Sequence, residues 1–156
     1  LTNCLLQYIN IDINYKIADL FCGLGTYTFP LSRYGQVDAF DLDGDSIFAL
    51  KNAALENGRA INVTSRDLFA EPLHSNELSA YDVVVINPPR AGAFNQIQQI
   101  ANSGVKTIIY VSCNPATFAV DAAILCDNNY QLVELTPIDQ FYWNSHIEIV
   151  ALFVCL

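Results

Sequence analysis

The chain of 156 residues contains no methionine, and its first residue is Leu1, which reads as part of a longer or processed protein. Positive charge is scarce: 7 Lys and Arg face 16 Asp and Glu, a formal charge of −9. A self-sufficient nucleic-acid binder carries a basic footprint, so none is expected within this chain alone. The same charge predicts repulsion from anionic membranes. No apolar run has the length of a membrane span, and the first residues lack the charged, apolar and small-residue zones of a signal peptide. No CxxC pair occurs among Cys4, Cys22, Cys113, Cys126 and Cys155. Their spacings match no zinc or iron–sulfur ligand set, so no metal is expected. An odd number of free thiols fits a reducing cytoplasm. Cys126 and Cys155 stand among apolar residues and read as small core hydrophobes. Charged residues make up 15% of the chain and hydrophobic ones 53%, which excludes disorder and supplies one domain with a core.

The apolar runs alternate in type along the chain. Strands are predicted at 16–21, 36–40, 61–64, 81–86, 107–111, 130–137 and 147–153. Helices are predicted near 27–33 and at 45–57, 94–101 and 117–127, with Asp45 as N-cap of the second and Gly58 as its stop. Residues 69–79 are polar, contain Pro72 and read as a loop with at most one turn. The continuous β-branched run at 81–86 suits a central strand covered on both faces. Alternating strands and helices followed by two successive strands predict an α/β fold. Its sheet is doubly wound, mostly parallel and seven-stranded, with an antiparallel terminal hairpin.

Ligands of such folds bind beyond the carboxyl ends of the strands. After the first strand come Gly23 and Gly25, which permit a tight turn and close backbone approach to a ligand. This is GxG rather than GxGxxG, and a plain strand-to-helix turn uses the same residues. Asp41 ends the second strand, 18 residues after Gly23, where a carboxylate accepts from ribose hydroxyls. Asp19 is expected to face the same pocket and pair with an ammonium. Asp67, after the third strand, is placed either to accept from an adenine amino group or to sit solvated in its loop. Three carboxylates disfavour a pyrophosphate. They fit a cofactor with a positive end and no phosphate, such as S-adenosylmethionine.

Asn87-Pro88-Pro89-Arg90 ends the fourth strand. Two prolines make a stiff turn able to hold an amide, both donor and acceptor, at the edge of a planar base; a purely structural turn is the alternative. Arg90 is suited to clamping a phosphate or carboxylate, or to plain solvation. Cys113 ends the fifth strand beside the next helix, whose amide field favours a thiolate. Glu148 interrupts the apolar run 147–153. Either alternation puts it on a wet face, or it is held near the site, where desolvation suits a general base. His146 lies on the same side if the strand is regular, as an orienting group or a surface histidine. Phe141, Tyr142 and Trp143 precede it, positioned to stack on a base or cap the core.

Four segments carry a resemblance: DLFCGLGTYTFPL at 19–31, NPPRAG at 87–92, YVSCNPATFAVDAAIL at 110–125 and DQFYWNSHIE at 139–148. Together they resemble the catalytic domain of the RNA uracil-5-methyltransferases, which make 5-methyluridine in tRNA and 23S ribosomal RNA. The resemblance implies a class I S-adenosylmethionine-dependent methyltransferase (Rossmann-like) fold, with the donor leaving as S-adenosylhomocysteine. It implies Cys113 as nucleophile, Glu148 as general base, and Asn87 at the place of a site carboxylate, with His146 nearby. Cofactor contacts are implied for Asp19, Phe21, Gly23, Gly25 and Thr26. Asp41, Asp67 and Asn87 complete that set. Pro88, Arg90, Asn114 and Phe141 are implied to meet the substrate. The family pattern has Asp where Asn87 stands and Arg where Val120 stands. It also has upstream domains that bind RNA, so tRNA or 23S rRNA is expected to be held largely outside this chain. No protein partner is expected. The Asn-Pro-Pro turn also resembles that of amino-group methyltransferases, which need no thiol. A degenerate domain that binds only cofactor or a partner is the non-enzymatic alternative. A dehydrogenase fits the short glycine loop and the carboxylates poorly.

Overall fold

In the computed structural model, which describes residues 1–9, 14–139 and 147–156, the apolar runs form seven strands among the described residues. They are β1 (Tyr15–Leu20), β2 (Gly35–Asp41), β3 (Ile61–Ser65), β4 (Val83–Ile86), β5 (Thr107–Ser112), β6 (Tyr130–Asp139) and β7 (Ile147–Cys155). Their order is β3-β2-β1-β4-β5-β7-β6. The first five are parallel, and β7 is inserted antiparallel to both β5 and β6. The helices are α1 (Thr2–Leu6), α2 (Thr28–Leu31), α3 (Gly44–Glu56), α4 (Ser75–Leu78), α5 (Phe94–Ala101) and α6 (Pro115–Asp127). Side chains of α4, α5 and α6 pack on one face of the sheet, and those of α1, α2 and α3 on the other. All four residues of β4 are buried, as a strand with helices on both sides requires. This is the expected doubly wound sheet with its terminal hairpin.

The boundaries differ where side chains compete for the backbone. Asp43, not Asp45, caps α3: its Oδ2 accepts the Ser46 N–H at 3.1 Å and the Ser46 hydroxyl. Asp45 sits in the first turn, where the helix dipole favours a carboxylate. Helix α6 begins at Pro115, two residues before the expected start, because Asn114 Oδ1 accepts the Ala116 N–H at 3.1 Å. Proline suits that first position because its missing N–H would have had no partner. Tyr81 and Asp82 precede β4 rather than opening it. Asp82 accepts the Lys16 N–H at 2.9 Å, and the Tyr81 hydroxyl donates to Asp38 at 2.8 Å. Cys126 is exposed on α6, so its reading as a core residue is corrected; Cys155 is half-buried at the core margin. Among the described residues no helix is long and apolar enough to cross a membrane, and no cluster of three or more His, Cys, Asp or Glu is arranged to hold a metal.

Candidate active site

Cys113 and Glu148 come together through strand register. The β5–β7 ladder pairs Tyr110 with Ala151, Val111 with Val150, and Ser112 with Ile149. One step further outward stand Cys113 and Glu148. Because β7 runs antiparallel to β5, its first residues lie at the edge where β1, β2, β4 and β5 end. A cleft of about 850 Å³ opens there, lined by both residues together with Phe21, Asp41, Asp67 and Asn87. The side chains of Cys113 and Glu148 are half-buried.

The glycine loop forms the other end of the cleft. Asp41 Oδ2 accepts the Gly23 N–H at 2.8 Å, and its Oδ1 accepts the Asp43 N–H at 3.1 Å. Each oxygen keeps a second acceptor direction. Gly25 has φ +88°, and a Cβ there would lie 2.5 Å from Leu50 Cδ1, so a side chain at this position is strained and has to displace Leu50. Phe21 holds a φ of 60°, unusual for a bulky residue, and its ring meets that of Phe69 with centroids 5.3 Å apart. Asp67 Oδ1 accepts the N–H groups of Phe69 and Ala70, which turns the chain so that Phe69 reaches the cleft.

Asp19 lies beneath this loop, fully buried, and is not among the residues lining the cleft. Thr28 donates to its Oδ2 at 2.6 Å, while its Oδ1 has no partner among the described residues. Burial pushes its carboxyl up to about 7; the Thr28 hydrogen bond opposes the rise and Asp41 adds to it. Burial, with the carboxylates of Asp19 and Asp41, also pushes the Cys22 thiol up. Tyr27 lines the cleft; burial, and then the charges of Glu148 and Asp19, raise its phenol to about 12.

The proline turn supplies the third wall. The Asn87 N–H donates to the Leu20 carbonyl at 3.2 Å, and Asn87, Pro88 and Pro89 line the cleft. Asn114 lies outside it, with Oδ1 capping α6 and Nδ2 donating to the Arg90 carbonyl at 2.9 Å. Arg90 and Thr26 are exposed, and neither they nor Gly23 and Gly25 line the cleft. His146, and Phe141 with its aromatic neighbours, lie outside the described residues. Sequence reasoning passed over Tyr27, Leu42, Arg66 and Phe69, all of which line the cleft. Leu42 directly follows Asp41 and was findable by position. Arg66 directly precedes Asp67 at the end of β3 and was findable in the same way; it pairs with Glu77 at 2.8 Å. Among the described residues that pair leaves Asp41, Asp43 and Asp67 as the uncompensated charges of this end. A cleft so charged suits a cationic ligand better than a phosphate.

Known proteins resemble this chain in sequence and fold. An uncharacterized RNA methyltransferase of Caulobacter vibrioides is 49% identical over 140 residues, covering 88% of this chain and 34% of that protein. The 23S rRNA (uracil(1939)-C(5))-methyltransferase of Acinetobacter baumannii is 37% identical, covering 94% of this chain and 33% of its own. The chain thus spans about a third of the length of these relatives. The crystal structure of Pyrococcus abyssi tRNA (uracil-54, C5)-methyltransferase in complex with S-adenosyl-L-homocysteine superposes with a TM-score of 0.82 at 27% identity. It covers 97% of this chain and 37% of that one. The fold is therefore that of the class I S-adenosylmethionine-dependent methyltransferases. The sequence pattern that matches residues 8–154 takes in the glycine loop, the proline turn, Cys113 and Glu148, and by that match the chain belongs to the tRNA (uracil-5-)-methyltransferase family.

Proposed function

We propose that the complete protein methylates C5 of a uridine in tRNA or 23S rRNA, using S-adenosylmethionine and a covalent Cys113 adduct. The observation that carries this reading is the register that leaves Cys113 and Glu148 as the next pair beyond Ser112 and Ile149.

The residues present fit the cofactor. Asp41 retains acceptor directions for ribose hydroxyls, and Phe21, Leu42 and Phe69 offer apolar contact for a flat base. The partnerless Oδ1 of Asp19 lies under the loop that would meet the amino-acid end. S-adenosylmethionine, when bound, supplies an electrophilic methyl group and leaves as S-adenosylhomocysteine.

Uracil C5 is a weak nucleophile, and Cys113 corrects this. Its thiolate adds to C6, forming an S–C6 bond and moving the C5=C6 pair toward C5 and O4. After C5 is methylated, Glu148 takes the C5 proton. The C5–H pair re-forms C5=C6 and expels the Cys113 thiolate. Asn87 presents an amide to the uracil edge, with Pro88 stiffening its approach. The target nucleotide must leave its stack to enter the cleft. With a charge of −9 on this chain, the phosphates are held mainly by other parts of the protein.

The test is covalent trapping. Fluorine at C5 replaces the proton that Glu148 removes, so the adduct persists. The complete protein, a 5-fluorouridine tRNA or 23S rRNA transcript and S-adenosylmethionine should give a species that resists denaturing gel electrophoresis. Its loss in Cys113→Ala supports the reading, and methylation by Cys113→Ala at full rate sinks it.

A further inference from the structure

Helix α6 and its N-cap residue carry three polar side chains toward the far side of the proline turn. Asn114, Thr117 and Asp121 are spaced by three and four residues, and so share one face of the helix. Asn114 Nδ2 donates to the Arg90 carbonyl at 2.9 Å, and the Thr117 hydroxyl donates to the same carbonyl at 3.3 Å. Asp121, 2% exposed, accepts the Ala93 N–H at 3.1 Å through Oδ2. That same oxygen accepts the Tyr110 hydroxyl at 2.6 Å. Tyr110 is fully buried on β5, the strand that leads to Cys113. Burial, and then the Asp121 carboxylate, hold its phenol well above the ordinary value, so it remains a donor.

The backbone between these ties is pressed against the helix. Gly92 has φ +78°, and a Cβ there would lie 3.1 Å from Thr117 Cβ and 3.2 Å from Asp121 Oδ2. One oxygen therefore joins three pieces: the strand before Cys113, the helix after it, and the exit of the turn that begins at Asn87. Neither Asp121 nor Tyr110 lines the main cleft.

We propose that Asp121 is a positioning residue for the pyrimidine site, fixing the Asn87 turn against the Cys113 strand; this rests on the uridine-methylating function proposed above. Its carboxylate charge is not required. Both donors reach a single oxygen, and the carbonyl of an asparagine accepts from both in the same place, more weakly than a carboxylate. A displacement of about 1 Å in a reacting geometry slows chemistry by about a hundredfold while leaving remote binding intact. Cofactor binding, at the Asp41 end, is thus expected to be insensitive to Asp121.

The experiment uses the complete protein, S-adenosylmethionine and the 5-fluorouridine transcript. It compares Asp121→Ala, Asp121→Asn, Tyr110→Phe and the control Leu125→Val, which thins the fully buried core face of the same helix. Each is read by rate of adduct formation, affinity for S-adenosylhomocysteine and melting temperature. Asp121→Ala should slow the adduct at least about tenfold with cofactor affinity within about threefold. Asp121→Asn should restore the rate to within about threefold, and Tyr110→Phe, which keeps the Ala93 bond, should fall between. Leu125→Val should lower the melting temperature and leave the rate. An unaltered rate in Asp121→Ala overturns the inference, as does a loss in Leu125→Val as large, or an Asp121→Asn as slow as the alanine. No adduct with the unaltered protein overturns the uridine function, and this inference with it. An adduct formed at full rate by Asp121→Ala overturns the inference alone.

Discussion

Replacing Asp19 by Asn should remove a pH dependence that wild-type stability carries. Asp19 is fully buried, its Oδ1 has no partner, and its carboxyl is raised from an ordinary value near 3.8 to about 7. The folded state therefore keeps a proton that the unfolded chain releases near its ordinary pKa. Stability from this group is fully present below about pH 4 and falls as pH rises toward 7. At 1.36 kcal/mol per pH unit the whole window amounts to about 4 kcal/mol, of which about 2.5 kcal/mol lies between pH 5 and pH 8. Asparagine keeps an oxygen for the Thr28 hydroxyl and does not titrate. Urea unfolding of both proteins by circular dichroism, at pH 5 and pH 8, isolates the term by difference, because the other carboxylates are common to both. The variant should gain about 2.5 kcal/mol on wild type between the two pH values. A gap that stays within about 0.5 kcal/mol, or that widens toward acid, would refute the reasoning.

Glu148→Gln should accumulate a covalent protein–RNA species with ordinary uridine RNA and S-adenosylmethionine, seen on a denaturing gel, because the C5 proton stays in place. Normal turnover by this variant would remove Glu148 as the base. Asp41→Ala strips the acceptor from the Gly23 and Asp43 N–H groups. Calorimetry should show S-adenosylhomocysteine affinity reduced at least about tenfold, from two lost hydrogen bonds and the ribose contact. Gly25→Ala meets both a positive φ and Leu50 at 2.5 Å, whereas Gly23→Ala meets the positive φ alone. Thermal and urea melts should rank the first as the costlier, by about 2–4 kcal/mol against about 1–2 kcal/mol. The reverse order would contradict the packing described for the loop.

Much of the frame was legible because strands buried on both faces write themselves as unbroken apolar runs. The run at 81–86, whose last four residues form β4, and helix 94–101 needed no long-range information, and α5 occupies that helix as expected. Helix starts were less legible because several capping residues competed locally. Asp43 and Asp45 are both acceptable N-caps by type, and only the Ser46 contact decides between them. The resemblance implies Asn114 as a substrate contact; in the fold its Oδ1 accepts from Ala116 and its Nδ2 donates to Arg90, which leaves one amide hydrogen and one acceptor direction. Asp19 reads as a pocket carboxylate from its place at the end of β1. Strand alternation and Thr28 instead bury it under the loop. Tyr27 stands two residues after Gly25 and Arg66 directly before Asp67, and both line the cleft, but nothing in their residue type separates a lining side chain from a core or surface one.

The reversal of β7 is the fold's main contribution to the proposed chemistry. Ligands of a parallel sheet gather at the carboxyl ends of its strands, and Asp41, Asn87 and Cys113 all stand there. A seventh strand running the same way would bring its last residue, Cys155, to that edge. Glu148 would then stand about 20–25 Å away, seven residues down the strand at about 3.3 Å each. Entry in the opposite direction puts the beginning of β7 beside the end of β5, and the pairing of Ser112 with Ile149 fixes the register. A slip of one residue would turn Glu148 to the other face of the sheet, and would exchange Val150, packed on one side, with Ile149, Ala151 and Phe153, packed on the other. The core residues of β7 therefore hold Glu148 opposite Cys113 by the same packing that stabilises the domain. Register and core packing are thus what keep this carboxylate of an apolar strand at the site.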